Sequence, residues 1–194
     1  MLPQPVHAVA MLYLIKDVHE AHRVAEEAAR VAAPAPPPES VPFFMTQEIP
    51  NACGTVALLH SVAAASTLGG GPVELPPGSW LHDYMTRAAS ASPDERAALL
   101  AADDTIDAEQ AVAGEGGQSA VIDNTWQHFV CFVQKGGILW ELDGRKGGPI
   151  NHGPSSSETL LLDAIRVMRG FMARDPDEVR FTMLALCPPV GEDS

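Results

Sequence analysis

Four residues of the chain are of types, and at spacings, that acyl-transfer chemistry uses. In the stretch QEIPNACGTVALLHSVA, residues 47–63, a single cysteine, Cys53, stands where a helix is expected to start, and Gly54 follows it at once. The first amides of a helix have no intrahelical acceptor and carry partial positive charge. A thiolate placed there is stabilised, so the thiol pKa falls and the sulfur becomes a usable nucleophile near neutral pH. Gln47, six residues earlier, carries a side-chain NH2 able to donate to a developing oxyanion beside the backbone N–H of Cys53. His128 opens the apolar run HFVCFV and is the candidate base. Asp143 closes ELD fifteen residues later and can accept from one ring nitrogen, fixing the tautomer. The set reads as nucleophile, base, orienter and oxyanion donor. Three of the four also have a plainer reading. A lone cysteine at a helix start can be core, a histidine can end an edge strand, and a loop glutamine can simply be solvated.

The elements that must carry these residues follow from patterning. Residues 6–15 are almost all apolar with β-branched and aromatic members, the signature of a buried strand. Residues 19–33 are rich in alanine and glutamate and predict a helix, which APAPPPES at 33–40 cannot continue. A short strand is expected at 41–45 and a helix at 53–66 with Asn51 as its N-cap. Helices are also expected at 80–89 and from Pro93, where Ser92 and Glu95 form a capping box. Residues 103–126 show no period and read as a loop. Strands at 127–133 and 138–142 flank Gly136 and Gly137, and such a hairpin brings His128 and Asp143 to one open end. Strand alternation puts His128, Val130 and Phe132 on one face and Cys131 on the other, as core. An amphipathic helix at 157–174 and a strand at 179–187 complete an α+β order. Among the remaining candidates, His60 reads as a packed core histidine, His82 and Asp83 as solvent-facing, and His152 as structural. Met168, Met172 and Met183 read as core fillers.

The bulk composition narrows the function classes. With 12 basic against 25 acidic residues the formal charge is −13. This excludes sequence-independent nucleic-acid binding, which needs clustered Lys and Arg, and suits a basic protein or peptide partner. Cys53, Cys131 and Cys187 have no metal-ligand spacing and form no CxxC, so no metal or cofactor is expected. An odd set of unpaired thiols points to a reducing, cytoplasmic compartment. The longest apolar run, 8–15, is too short for a membrane span. At 194 residues, one catalytic domain over 1–194 is expected.

Taken together, QEIPNACGT, HFVCFV, ELDGRKGGPINHG and RGFMARDPDEVRF resemble the ubiquitin C-terminal hydrolase family of cysteine peptidases. The likeness is to its small single-domain members and runs over residues 3–187 in the family's order. It implies a papain-like cysteine peptidase fold, with a central, mostly antiparallel sheet flanked by helices. It places the family's nucleophile on Cys53, the general base and acid on His128, the orienting aspartate on Asp143 and the oxyanion glutamine on Gln47. It implies a monomer without metal or cofactor that binds ubiquitin, or the related modifier Nedd8, and releases small adducts or short peptides from ubiquitin's C-terminal glycine through a thioester. Residues 104–127 would form the active-site crossover loop and meet the substrate. In family chains a helix and a sheet strand precede the segment matched by Pro3-Gln4-Pro5-Val6. The chain is thus read as N-terminally shortened, with an open sheet edge expected. A ubiquitin- or Nedd8-binding protein with weak or no turnover is the alternative function.

Overall fold

The computed structural model describes residues 2–103 and 126–189. The suspected crossover loop therefore lies outside the described residues, except for Trp126 and Gln127. Five strands form one sheet in the order β4-β3-β2-β1-β5. They are β1 Ala8–Leu14, β2 Gln127–Lys135, β3 Ile138–Leu142, β4 Ile150–Pro154 and β5 Thr182–Leu186. Every pairing between them is antiparallel. The described helices are α1 Asp17–Ala32, α2 Cys53–Ala65, α3 Trp80–Ala88, α4 Pro93–Ala101 and α5 Leu160–Arg174. This is the α+β, papain-like arrangement expected.

The two faces of the sheet are covered differently. Val9, Met11 and Tyr13 of β1, with Val130 and Phe132 of β2, pack against Leu160, Ala164, Met168 and Phe171 of α5. The alternate residues Ala8, Cys131 and Val133 pack against Ala57 of α2. Strand alternation thus divides β2 as its sequence predicts. On its far side α2 gives Val56, Leu59 and Ala63 to a second core with Tyr84, Met85 and Leu100 of α3 and α4. Covered on both sides, α2 is apolar nearly all round. His60 is fully buried there, stacked on Phe44 at 5.4 Å, and its Nε2 accepts the Met45 N–H at 3.1 Å. Burial drives its pKa down to about 3, so it is a neutral core histidine, as expected.

Several local expectations are corrected. Residues 41–45 form no strand, because their polar backbone atoms bond to side chains and loop carbonyls instead of a neighbouring strand. Asn51 does not cap α2. It sits in the left-handed region at φ 61°, and the N-cap is Ala52, which has no capping side chain. Strand β4 was not anticipated; its run INHGP carries too little β-branched character to be read as a strand. Met183 is not core. It and Leu184 are 49% and 56% exposed on the outer strand β5, and nothing among the described residues pairs with that strand's outer side. Met168 is fully buried and Met172 half-buried. At the β2–β3 turn, Gly136 and Gly137 take φ 60° and 79°, which favours glycine at both positions of so tight a hairpin. No helix among the described residues is long and apolar enough to cross a membrane.

Candidate active site

Cys53 is the first residue of α2 and is half-buried. Because no side-chain oxygen caps this helix, its leading amides are left to other acceptors. The sulfur takes that role, drawing on the backbone N–H groups of Gly54 and of Phe129 on β2. Burial would push the thiol pKa up. The hydrogen bond and charge of His128, together with those two amides, outweigh it and bring the thiol below its ordinary value.

His128 lies at the start of β2, opposite Tyr13 of β1. The β2–β3 ladder ends at Cys131–Leu142, and the chain then turns at Asp143 toward His128. Nε2 of His128 donates to Oδ1 of Asp143 at 2.7 Å, with both side chains buried. The same oxygen accepts the Arg145 backbone N–H at 2.9 Å. With Nε2 engaged, Nδ1 is the ring nitrogen left for the Cys53 sulfur. The Tyr13 ring meets the imidazole edge-on, centroids 6.0 Å apart, and limits its rotation. Burial disfavours the imidazolium, but the bonds and charges of Asp143 and Cys53 push its pKa up to about 9. Burial likewise opposes ionisation of Asp143; His128, the Arg145 amide and the Lys146 charge overcome it and hold the carboxyl below its usual range. These opposite shifts favour the thiolate–imidazolium pair over the neutral thiol and imidazole.

Gln47 reaches the same region from the segment before α2. Its backbone N–H donates to the carbonyl of Gly144 at 2.8 Å, directly after Asp143. Its Nε2 donates to the Ile49 carbonyl at 3.2 Å, while Oε1 is buried without a partner. One amide hydrogen of Nε2 is therefore left to donate elsewhere. Gly144 permits this approach. A Cβ there would lie 2.9 Å from Cβ of Gln47 and 3.1 Å from Cγ1 of Val56. Gly144→Ala is expected to push Gln47 away from the Asp143 turn. Turnover should fall at least tenfold, with a stability loss of about 1–3 kcal/mol. Steady-state kinetics and thermal melting check this together; an unchanged kcat would show that the contact is not needed.

Sequence reasoning missed the support behind the hairpin. Glu141 is fully buried on β3, and its carboxylate bonds Nε2 of His152 at 2.9 Å and the Lys146 ammonium. Lys146 also pairs with Glu26 of α1, and Arg145 with Glu20 at 2.5 Å. Glu26, Glu141 and His152 lie close enough to hold a cation, but the Lys146 ammonium already bridges the two carboxylates. A charge inside the apolar run ILWEL was the available sign of this network. His152 is structural, as expected, and His82 bonds its neighbour Asp83 at 3.2 Å near the surface.

An α+β fold that sets a thiol at a helix start against a buried imidazole–carboxylate pair defines a papain-like thiol hydrolase. The family model for ubiquitin carboxyl-terminal hydrolase, family 1, matches residues 1–173. The chain belongs to this family and is a cysteine-type ubiquitinyl hydrolase. It is 43% identical over 187 residues to a Drosophila melanogaster ubiquitin carboxyl-terminal hydrolase, covering 95% of this chain and 79% of that one. It is 36% identical over 189 residues to human ubiquitin carboxyl-terminal hydrolase isozyme L1, covering 96% and 80%. The catalytic domain of Trichinella spiralis UCH37, solved with ubiquitin vinyl methyl ester, shares the fold. Its TM-score is 0.66 at 20% identity, over 94% of this chain and 76% of that one.

Proposed function

We propose that one site built from Cys53, His128, Asp143 and Gln47 hydrolyses amides and esters at the C-terminal glycine of ubiquitin. The observation that carries this reading is the 2.7 Å bond from His128 to Asp143, with Cys53 on the other side of the ring. Cys53 attacks the glycine carbonyl as thiolate. His128, held by Asp143, then donates its proton to the leaving group as the tetrahedral intermediate collapses to the thioester. His128 next deprotonates a water that attacks the thioester, and the thiolate leaves. In both steps the oxyanion meets the Cys53 backbone N–H and the free Nε2 hydrogen of Gln47. The 25 acidic against 12 basic residues suit a basic substrate tail. The preferred leaving groups are small adducts and short peptides, and the whole chain acts as one catalytic domain. Ubiquitin is the preferred modifier, with Nedd8 as the competing one. Three cysteines free of disulfides suit a monomeric enzyme of the cytoplasm, acting in ubiquitin-dependent protein catabolism.

Ubiquitin vinyl methyl ester should label the protein at Cys53, located by peptide mass spectrometry, and a fluorogenic ubiquitin C-terminal amide should be turned over. Labelling without turnover would leave a binding protein, and faster cleavage of the Nedd8 amide would reassign the modifier. Gln47→Ala should lower kcat by roughly 10² to 10³ with little change in ubiquitin affinity, because an oxyanion donor acts in the transition state. Equal losses in kcat and affinity would make Gln47 a binding or folding residue.

A further inference from the structure

We infer that Thr46 is a positioning residue for Gln47, and that its hydroxyl, bonded to Asp94 at the start of α4, sets where the oxyanion donor stands. This rests on the role proposed for Gln47. The carboxamide of Gln47 is weakly held at its own end, by one 3.2 Å bond to Ile49, with Oε1 unpartnered. Its place must therefore come from the backbone beneath it. That backbone belongs to no helix or strand, yet four successive residues are each pinned to another element. The Phe44 carbonyl accepts from Nη1 of Arg96 at 2.7 Å, and the Met45 N–H donates to His60 at 3.1 Å. Oγ1 of Thr46 donates to Oδ1 of Asp94 at 2.9 Å, and its backbone N–H lies 3.4 Å from the Pro93 carbonyl. Gln47 then donates to Gly144 at 2.8 Å.

The Thr46 bonds are the last hold before Gln47 on the α4 side, and Gly144 is the hold on the hairpin side. Gln47 thus spans the two parts of the site. The α4 end is itself held by several contacts. Ser92 and Glu95 form a reciprocal cap around Pro93, and the Arg96 guanidinium lies 4.2 Å from the Phe43 ring centre while its Nε donates to the Ala88 carbonyl at 2.9 Å. Releasing the threonine hydroxyl frees the backbone by one bond, so the carboxamide samples positions that miss the oxyanion.

Thr46→Val keeps the shape and removes the hydroxyl. On the fluorogenic ubiquitin amide it should lower kcat roughly three- to tenfold, the range of one net hydrogen bond, with KM unchanged. Thr46→Ser should restore most of the loss. Asp94→Ala should reproduce it, and the two together should lose no more than either alone. The rate of labelling by ubiquitin vinyl methyl ester should stay at the parent value. Thiolate addition to the vinyl carbon builds no tetrahedral oxyanion where the scissile carbonyl would lie. In a Gln47→Ala background Thr46→Val should have no further effect on kcat. Slower labelling in parallel with kcat, or an undiminished Thr46→Val effect without the glutamine, would overturn the inference in favour of a general structural role. A slow Gln47→Ala enzyme with full activity in Thr46→Val would also overturn it while sparing the glutamine. Full kcat in Gln47→Ala would instead remove the role of Gln47 on which the inference stands.

Discussion

Replacing Cys53 by serine is expected to lower turnover of a ubiquitin C-terminal amide by a factor on the order of 10⁴ to 10⁶, the scale on which removing a nucleophile acts. Ubiquitin affinity should be retained, since the substitution changes one atom at the start of α2. The reason lies in what holds the sulfur. The amides of Gly54 and Phe129 and the imidazole of His128 together lower the thiol pKa. A serine hydroxyl ionises far above that range and gains little from the same partners. The other thiols lack such surroundings. Cys131 is fully buried against Ser61 at 3.2 Å, and burial pushes its pKa up to about 12. Cys187 is half-buried beside the α5 core. Cys131→Ser and Cys187→Ser should each keep most of the activity. Retention of activity in Cys53→Ser, measured with the same fluorogenic amide, would remove it as the nucleophile.

Asp143→Asn should be nearly as damaging, lowering kcat by a factor on the order of 10⁴, because the amide accepts poorly and can present its NH2 to Nε2, favouring the wrong tautomer. Its effect on pH dependence is the sharper test. In the parent enzyme, activity should rise on the acid side as Cys53 ionises, below the ordinary thiol range. It should fall on the alkaline side as His128 loses its proton, at about 9. With the thiolate–imidazolium pair as the active form, the kcat/KM profile should be a bell bounded by these two ionisations. Burial pulls the imidazole pKa down and Asp143 holds it up. Without the carboxylate only Cys53 still opposes burial, so the alkaline limb should move to lower pH and the bell should narrow. An alkaline limb that stays in place while kcat falls would mean that Asp143 orients the ring without setting its charge.

The candidate site residues were legible because their signals are local. A cysteine entering an apolar helix, a histidine opening an alternating strand and an aspartate closing its hairpin partner are each set by short-range patterning. The register Cys131–Leu142 follows directly from the Gly136–Gly137 turn. The same locality explains the division of β2 into the faces of Cys131 and of Val130 and Phe132. It also explains the cap of α4, where Ser92 and Glu95 satisfy each other's backbone within one turn.

What failed was whatever depended on distant partners. Residues 41–45 have the composition of a strand, yet the backbone there bonds Arg96 and His60, brought close only when α4 and α2 pack. Asn51 has the chemistry of a cap, but the N-cap falls one residue later, on Ala52, and the leading amide of Gly54 turns to the Cys53 sulfur. Met183 fits a core strand by hydropathy and is exposed because β5 is an outer strand, a matter of sheet order. Glu141 and Lys146 are buried as a pair only because α1 supplies Glu26 beside them. The sequence by itself determined which side chains could act and in what order along the chain, since turns, caps and alternation are properties of neighbouring residues. Only the tertiary structure decided how Gln47 is held between Thr46 and Gly144, and what sets the protons on Cys53 and His128. Burial and charge depend on the elements that close around a residue, and those elements come from remote parts of the chain.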